Sequence, residues 1–126
     1  MSANRMLVVD DALIMRQRIK EIAEEAGWAV VAEAKDGEEA LQQYRDHQPD
    51  LVTLDIVMPK MDGVSALKLL MEEHPQARVV MVSAVNQRDK LAECIQTGAI
   101  DFIVKPFEKA GLLSFFRKAL DAESQS

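Results

Sequence analysis

Short β-branched runs alternate with stretches of helical spacing from one end of this chain to the other, and that alternation narrows the folds open to it more than any other feature. The runs are "MLVV" (6–9), "WAVVAEA" (28–34), "DLVTLD" (50–55), "ARVVMVSA" (77–84) and "DFIVK" (101–105). Between them apolar residues recur at i, i+3 and i+4. Met15, Ile19, Ile22, Ala23 and Ala26 form one stripe, which Gly27 stops. Ala40, Leu41 and Tyr44 form a second, and Leu67, Leu70 and Met71 a third, closed by His74 and Pro75. Leu91, Cys94 and Ile95 form a fourth, ended by Gly98, and Leu112, Phe116, Ala119 and Leu120 a fifth. Five strands alternating with five helices predict an α/β fold: a parallel sheet joined by helical crossovers and covered on both faces. The first, third and fourth strands read as almost continuously apolar, as doubly buried strands should, and the second is mixed, as at an edge.

The 126 residues suit one domain, 1–126, with its core over about 4–121 and a polar, frayed tail at 122–126. At 48% hydrophobic and 29% charged the chain has ordinary globular composition. Its apolar runs are too short to span a bilayer, so no membrane association is expected. No secretory leader pattern is seen at "MSANRMLVVDD", and the lone Cys94, expected in the core, excludes an internal disulfide framework. These features point to the cytoplasm. The net charge of −6 argues against nucleic acid as a partner. His47 and His74 lack metal-ligand spacing and read as surface residues. The methionines, Met58, Met61, Met71 and Met81, read as packing, and Trp28 as structural.

In open α/β sheets function collects beyond the carboxyl ends of the strands. There the first run ends in Asp10 and Asp11, the third in Asp55, the fourth in Ser83, and the fifth in Lys105. Two like charges about 4 Å apart cost roughly 4 kcal/mol at an effective dielectric of 20. Gathered carboxylates therefore call for cations. Lys105 is one, and an oxygen-only donor set suits Mg²⁺, with the backbone carbonyl of Val57 within reach of the same ion. A carboxylate, a hard metal, a lysine and a hydroxyl compose a phosphoryl site. Asp55 would attack phosphorus to form an acyl phosphate, while Lys105 and Ser83 bind the phosphoryl oxygens. Ala84 is small and leaves the approach open. Asp10 and Asp11 also have a plainer role available, as helix caps.

The motifs "VVDD" (8–11), "LDIVMPKMDG" (54–63), "SA" (83–84) and "FIVKPF" (102–107), in this order and spacing, resemble the receiver domain of two-component response regulators, the stand-alone CheY-like chemotaxis type in particular. The resemblance implies the flavodoxin-like sheet order 2-1-3-4-5. It implies a phosphoacceptor at Asp55, with Mg²⁺ held by Asp10, Asp11, Asp55 and the Val57 carbonyl. Phosphoryl binding would fall to Ser83, Lys105 and the Ala84 backbone. Ser83 and Phe102 would form the conformational switch, and Lys105–Pro106 would be a cis peptide.

Function would then be signalling and not enzymatic turnover. The implied partners are a histidine autokinase as donor, a flagellar motor switch protein as target, and a phosphatase; the chain itself would be a monomer. The alternative is a phosphorelay intermediate exchanging phosphate with a histidine phosphotransfer domain. Val57 and Val85, each two residues past a site residue, cannot orient an attacking water, so slow self-dephosphorylation is expected. A flavin or nucleotide binder on the same fold would want a Gly- or Ser-rich loop after the first strand, and "DDALIMR" would repel phosphate there. An aspartyl phosphatase would want a general acid at position 57, where valine cannot donate. A dimerising module without phosphorylation would not need the full set of acids, Ser83 and Lys105.

Overall fold

The structure is a computed structural model that describes residues 4–125, with the backbone alone at Val85 and at 122–125. Its strands are β1 (Arg5–Val9), β2 (Ala29–Ala34), β3 (Leu51–Asp55), β4 (Val79–Ala84) and β5 (Asp101–Lys105). The helices are α1 (Leu13–Ala26), α2 (Gly37–His47), α3 (Gly63–Glu73), α4 (Arg88–Thr97) and α5 (Lys109–Gln125). All strand pairs are parallel, in the order β2-β1-β3-β4-β5. Central β1, β3 and β4 are buried on both faces, as their apolar runs require.

Alternation along the strands sorts the core into two layers. Leu7, Val9, Leu54 and Met81 face the α2–α3–α4 side with Leu41, Leu67 and Cys94. Met6, Val8, Leu51 and Val80 face the α1–α5 side with Ile19, Ile22 and Phe116. Trp28 seals the second layer: it is 3% exposed and its indole N–H donates to the Phe116 carbonyl at 2.9 Å. Helix ends follow local chemistry. Asp36 caps α2 by accepting the Glu39 N–H at 2.9 Å, and Asp62 caps α3 by accepting the Ser65 N–H at 2.8 Å. Gly27, at φ 111°, closes α1 in the left-handed conformation that a side chain would strain.

Several expectations are corrected. Helix α5 continues to Gln125 and does not stop before a frayed tail, because 121–125 contain neither Gly nor Pro to end it. The two histidines are half-buried and not freely exposed surface side chains. His74 packs its ring on Tyr44 at 4.5 Å, and His47 Nδ1 lies 3.2 Å from the Gln43 carbonyl one turn back. A short 3₁₀ turn, Val85–Gln87, lies between β4 and α4 where none was expected. Ile95, assigned to the apolar stripe of α4, is exposed, as is Phe102 on β5.

Candidate functional site

Register brings the strand ends to one rim. β1 gives way to Asp10, whose N–H donates to the Ala34 carbonyl at 3.0 Å, while β3 ends at Asp55 and β5 at Lys105. Asp10 and Asp55 are buried and Asp11 is exposed. Lys105 Nζ donates to Asp10 Oδ2 at 3.0 Å and to Asp55 Oδ2 at 3.2 Å. One carboxylate oxygen from each of Asp10, Asp11 and Asp55 lies within 4.8 Å of the others. Asp10 Oδ1 accepts the Ala12 N–H at 2.9 Å. Ala12, and not either aspartate, is the residue at the N-cap of α1. The peptide bond after Lys105 is cis.

Electrostatics here are a balance. Burial pushes the Asp55 carboxyl above its ordinary range, Lys105 opposes that, and Asp10 adds to it; the net direction is upward. Burial alone would lower the Lys105 ammonium, but its hydrogen bond to Asp10 and its attraction to Asp55 and Asp10 outweigh that and hold it above its ordinary value. One ammonium facing three carboxylates leaves excess negative charge. The donor atoms are all oxygens, so the cluster fits a hard divalent cation such as Mg²⁺.

Ser83, at the end of β4, is fully buried, and its Oγ has no hydrogen-bond partner among the described residues. Such a group carries a penalty until an acceptor or donor reaches it. Val57 is 52% exposed, and its backbone N–H favours the charged form of Asp55. The Val85 side chain lies outside the described residues. The Ala84 N–H is taken by the Gln87 side chain, Oε1 at 2.9 Å. Phe102, on the neighbouring edge strand, is 45% exposed and borders a cavity of about 400 Å³ lined also by Ala84, Arg88, Leu91, Ile95 and Val104.

Sequence reasoning missed two residues that hold this rim. Arg16 donates from Nη1 to the Asp10 carbonyl at 2.7 Å and from Nε to Glu33 Oε1 at 3.0 Å, pinning the backbone that carries Asp10. Its place in the first turn of α1 was legible, but the direction of its side chain was not. Gln87 gave none, since its role depends on the unforeseen 3₁₀ turn.

The family description "Response regulator receiver domain" matches residues 6–117. The chain is 49% identical over 119 residues to the chemotaxis protein CheY of Bacillus subtilis, covering 94% of this chain and 99% of that one. It is 43% identical over 114 residues to CheY of Thermotoga maritima, covering 90% of this chain and 95% of that one. Among solved structures it resembles a chain of the CheX-CheY-BeF3-Mg+2 complex from Borrelia burgdorferi, with a TM-score of 0.86 and 38% identity over 92% of this chain and 88% of that one. On the match across its length, its sheet order and its acidic rim, the chain belongs to the response regulator receiver family.

Proposed function

We propose that this receiver accepts a phosphoryl group on Asp55 from the phosphohistidine of a histidine autokinase and passes the signal on by changing its binding surface. An Asp55 oxygen attacks phosphorus, the P–N bond breaks, and its electron pair leaves with the imidazole, which takes up a proton. The product is an acyl phosphate. The observation that carries the reading is the bonding of one lysine to both Asp10 and Asp55, beside a third carboxylate and a buried serine hydroxyl with no partner among the described residues. Receiver domains bind Mg²⁺ at an acidic site. In this chain Asp10, Asp11, Asp55 and the Val57 carbonyl would hold the ion, which when bound supplies neutralising charge for the phosphoryl oxygens. Lys105 holds Asp55 in place and would neutralise the phosphoryl oxygens. Ser83 and the Ala84 N–H give the remaining hydrogen bonds.

The switch couples Ser83 to Phe102. When the Ser83 hydroxyl turns to the phosphoryl group, the Phe102 ring moves from solvent into the neighbouring cavity, changing the α4–β5–α5 face. The chemotaxis names of the relatives favour a flagellar motor switch protein as target over a histidine phosphotransfer domain in a relay. The CheX-CheY complex supports a further protein partner. A phosphatase completes the proposed set. On this proposal the receiver acts as a monomer in the cytoplasm. Separately, no helix among the described residues is long and apolar enough to cross a membrane. Exposed Val57, which cannot hold a water, supports slow self-dephosphorylation.

The test is intact mass after incubation with acetyl phosphate and Mg²⁺. Gain of one phosphate, lost in Asp55→Asn and in chelator, supports the reading. No gain in the wild-type protein with Mg²⁺ present refutes it.

A further inference from the structure

Strand geometry says where the Ala84 N–H points. Along a strand, the N–H and C=O of one residue point to the same side and those of the next residue to the other. The Val82 carbonyl accepts the Ile56 N–H at 3.1 Å, so Val82 faces β3. Ala84, two residues on and still extended at φ −78° and ψ 160°, faces β3 again. Its ladder partner would be the Ile56 carbonyl, but that oxygen accepts the Gly63 N–H at 2.7 Å. The Ala84 N–H is thus the last donor of β4 on the Asp55 side, set just beyond the end of β3. In register it stands beside Lys105, whose ammonium lies between Asp10 and Asp55. Gln87 reaches back over the Val85–Gln87 turn and occupies this donor with its amide oxygen.

We infer that Gln87 competes with the incoming phosphoryl group for the Ala84 N–H and so sets how readily the site takes an anion. The inference rests on Asp55 being the phosphoacceptor and adds a residue that touches neither metal nor carboxylate. A neutral amide suits the task. It satisfies the donor at rest, and it yields to a phosphoryl oxygen, because a charged acceptor makes the stronger hydrogen bond. Gln87 immediately precedes α4, and its release frees the turn that leads into that helix. Arrival of the anion is thereby felt at Arg88 and Leu91, on the wall of the cavity beside Phe102. A purely structural Gln87 would close the turn and have no influence on anion affinity.

The experiment titrates beryllofluoride, a tetrahedral stand-in for the phosphoryl group, in saturating Mg²⁺, followed by fluorine NMR on wild type, Gln87→Ala and Gln87→Glu. Exchange of the Ala84 amide is measured in the anion-free proteins, with Mg²⁺ affinity as a control. Expected are binding about three- to tenfold tighter in Gln87→Ala and weaker by a similar factor in Gln87→Glu, whose charge holds the N–H harder and repels the anion. Mg²⁺ affinity stays unchanged in Gln87→Ala, and its Ala84 amide exchanges faster. Equal anion affinity in all three proteins, or weaker binding in Gln87→Ala, overturns the inference. Slow Ala84 exchange in Gln87→Ala does so as well, independently of any anion. Wild-type protein that binds Mg²⁺ but no beryllofluoride refutes the phosphoacceptor reading itself, and this inference falls with it.

Discussion

Replacing Gly63 with alanine tests how tightly α3 is set against β3, the strand that ends at Asp55. Gly63 opens α3, and its N–H donates to the Ile56 carbonyl at 2.7 Å. A Cβ there would overlap the Asp55 carbonyl oxygen and come within 2.8 Å of Ile56 Cα and 2.9 Å of the Asp55 carbonyl carbon. All three are backbone atoms and none can swing aside. Restoring van der Waals contact moves the start of α3 on the order of 1 Å, which stretches the 2.7 Å hydrogen bond beyond bonding range. Leaving a buried donor and acceptor unpaired costs about 1–3 kcal/mol, and the overpacking about as much again. Gly63→Ala should therefore lose about 2–6 kcal/mol, a large share of the roughly 5–15 kcal/mol of a small domain. Urea unfolding measures it. Gly111→Ala is the matched control, since nothing lies within 4 Å of a Cβ at that helical position. It should be neutral or up to about 1 kcal/mol stabilising. Because the displaced carbonyl belongs to Asp55, phosphate uptake should fall as well. A Gly63→Ala protein within about 0.5 kcal/mol of wild type, with normal uptake, would refute the reasoning.

Trp28→Phe leaves the Phe116 carbonyl without the indole donor and should cost about 1–3 kcal/mol in thermal or urea unfolding. Asp36→Ala removes the cap of α2 and should cost about 1 kcal/mol by the same measurement. Burial raises the Cys94 thiol from 9.0 to about 11. Below the lower value both folded and unfolded thiols are protonated; between the two only the unfolded one ionises, so stability falls as pH rises through that window. The share due to Cys94 is at most about 3 kcal/mol, and Cys94→Ala should lack it when unfolding is compared at pH about 8 and about 10.5. Mg²⁺ at about 100 times its dissociation constant should stabilise the wild type by about 2.7 kcal/mol and leave Asp10→Ala nearly unmoved in a thermal-shift titration.

Much of this fold could be read from the chain because its signals are local. The apolar runs at 6–9 and 50–55 and the stripe through Ile19, Ile22, Ala23 and Ala26 each mark one element, and the parallel connection rule does the rest. Asp10, Asp55 and Lys105 were legible for a related reason: a charge that ends a buried strand has nowhere to go but the rim. What escaped depends on reach in three dimensions. Arg16 finds the Asp10 carbonyl, and His74 finds the face of Tyr44, through side-chain directions that no spacing in the sequence encodes. The turn at Val85–Gln87 is held by one side chain folding back on the strand before it. The end of α5 was misjudged because polarity was read as disorder, although Ala122, Glu123 and Gln125 are all good helix formers.

The bond from Lys105 to Asp10 spans 95 residues and joins the exit of the first strand to the exit of the last. Contacts that distant in sequence form late, after the loops between them have closed. A chain emerging from the ribosome carries all three acids long before it carries the lysine, so the rim cannot be completed until the last strand has been made. Charge balance at the rim is therefore the last feature of the site that the chain can complete. A fragment cut short before β5, or a conformer with that edge strand detached, lacks the ammonium that bridges Asp10 and Asp55. The same long-range bond thus ties the charge state of the rim to the docking of the edge strand β5.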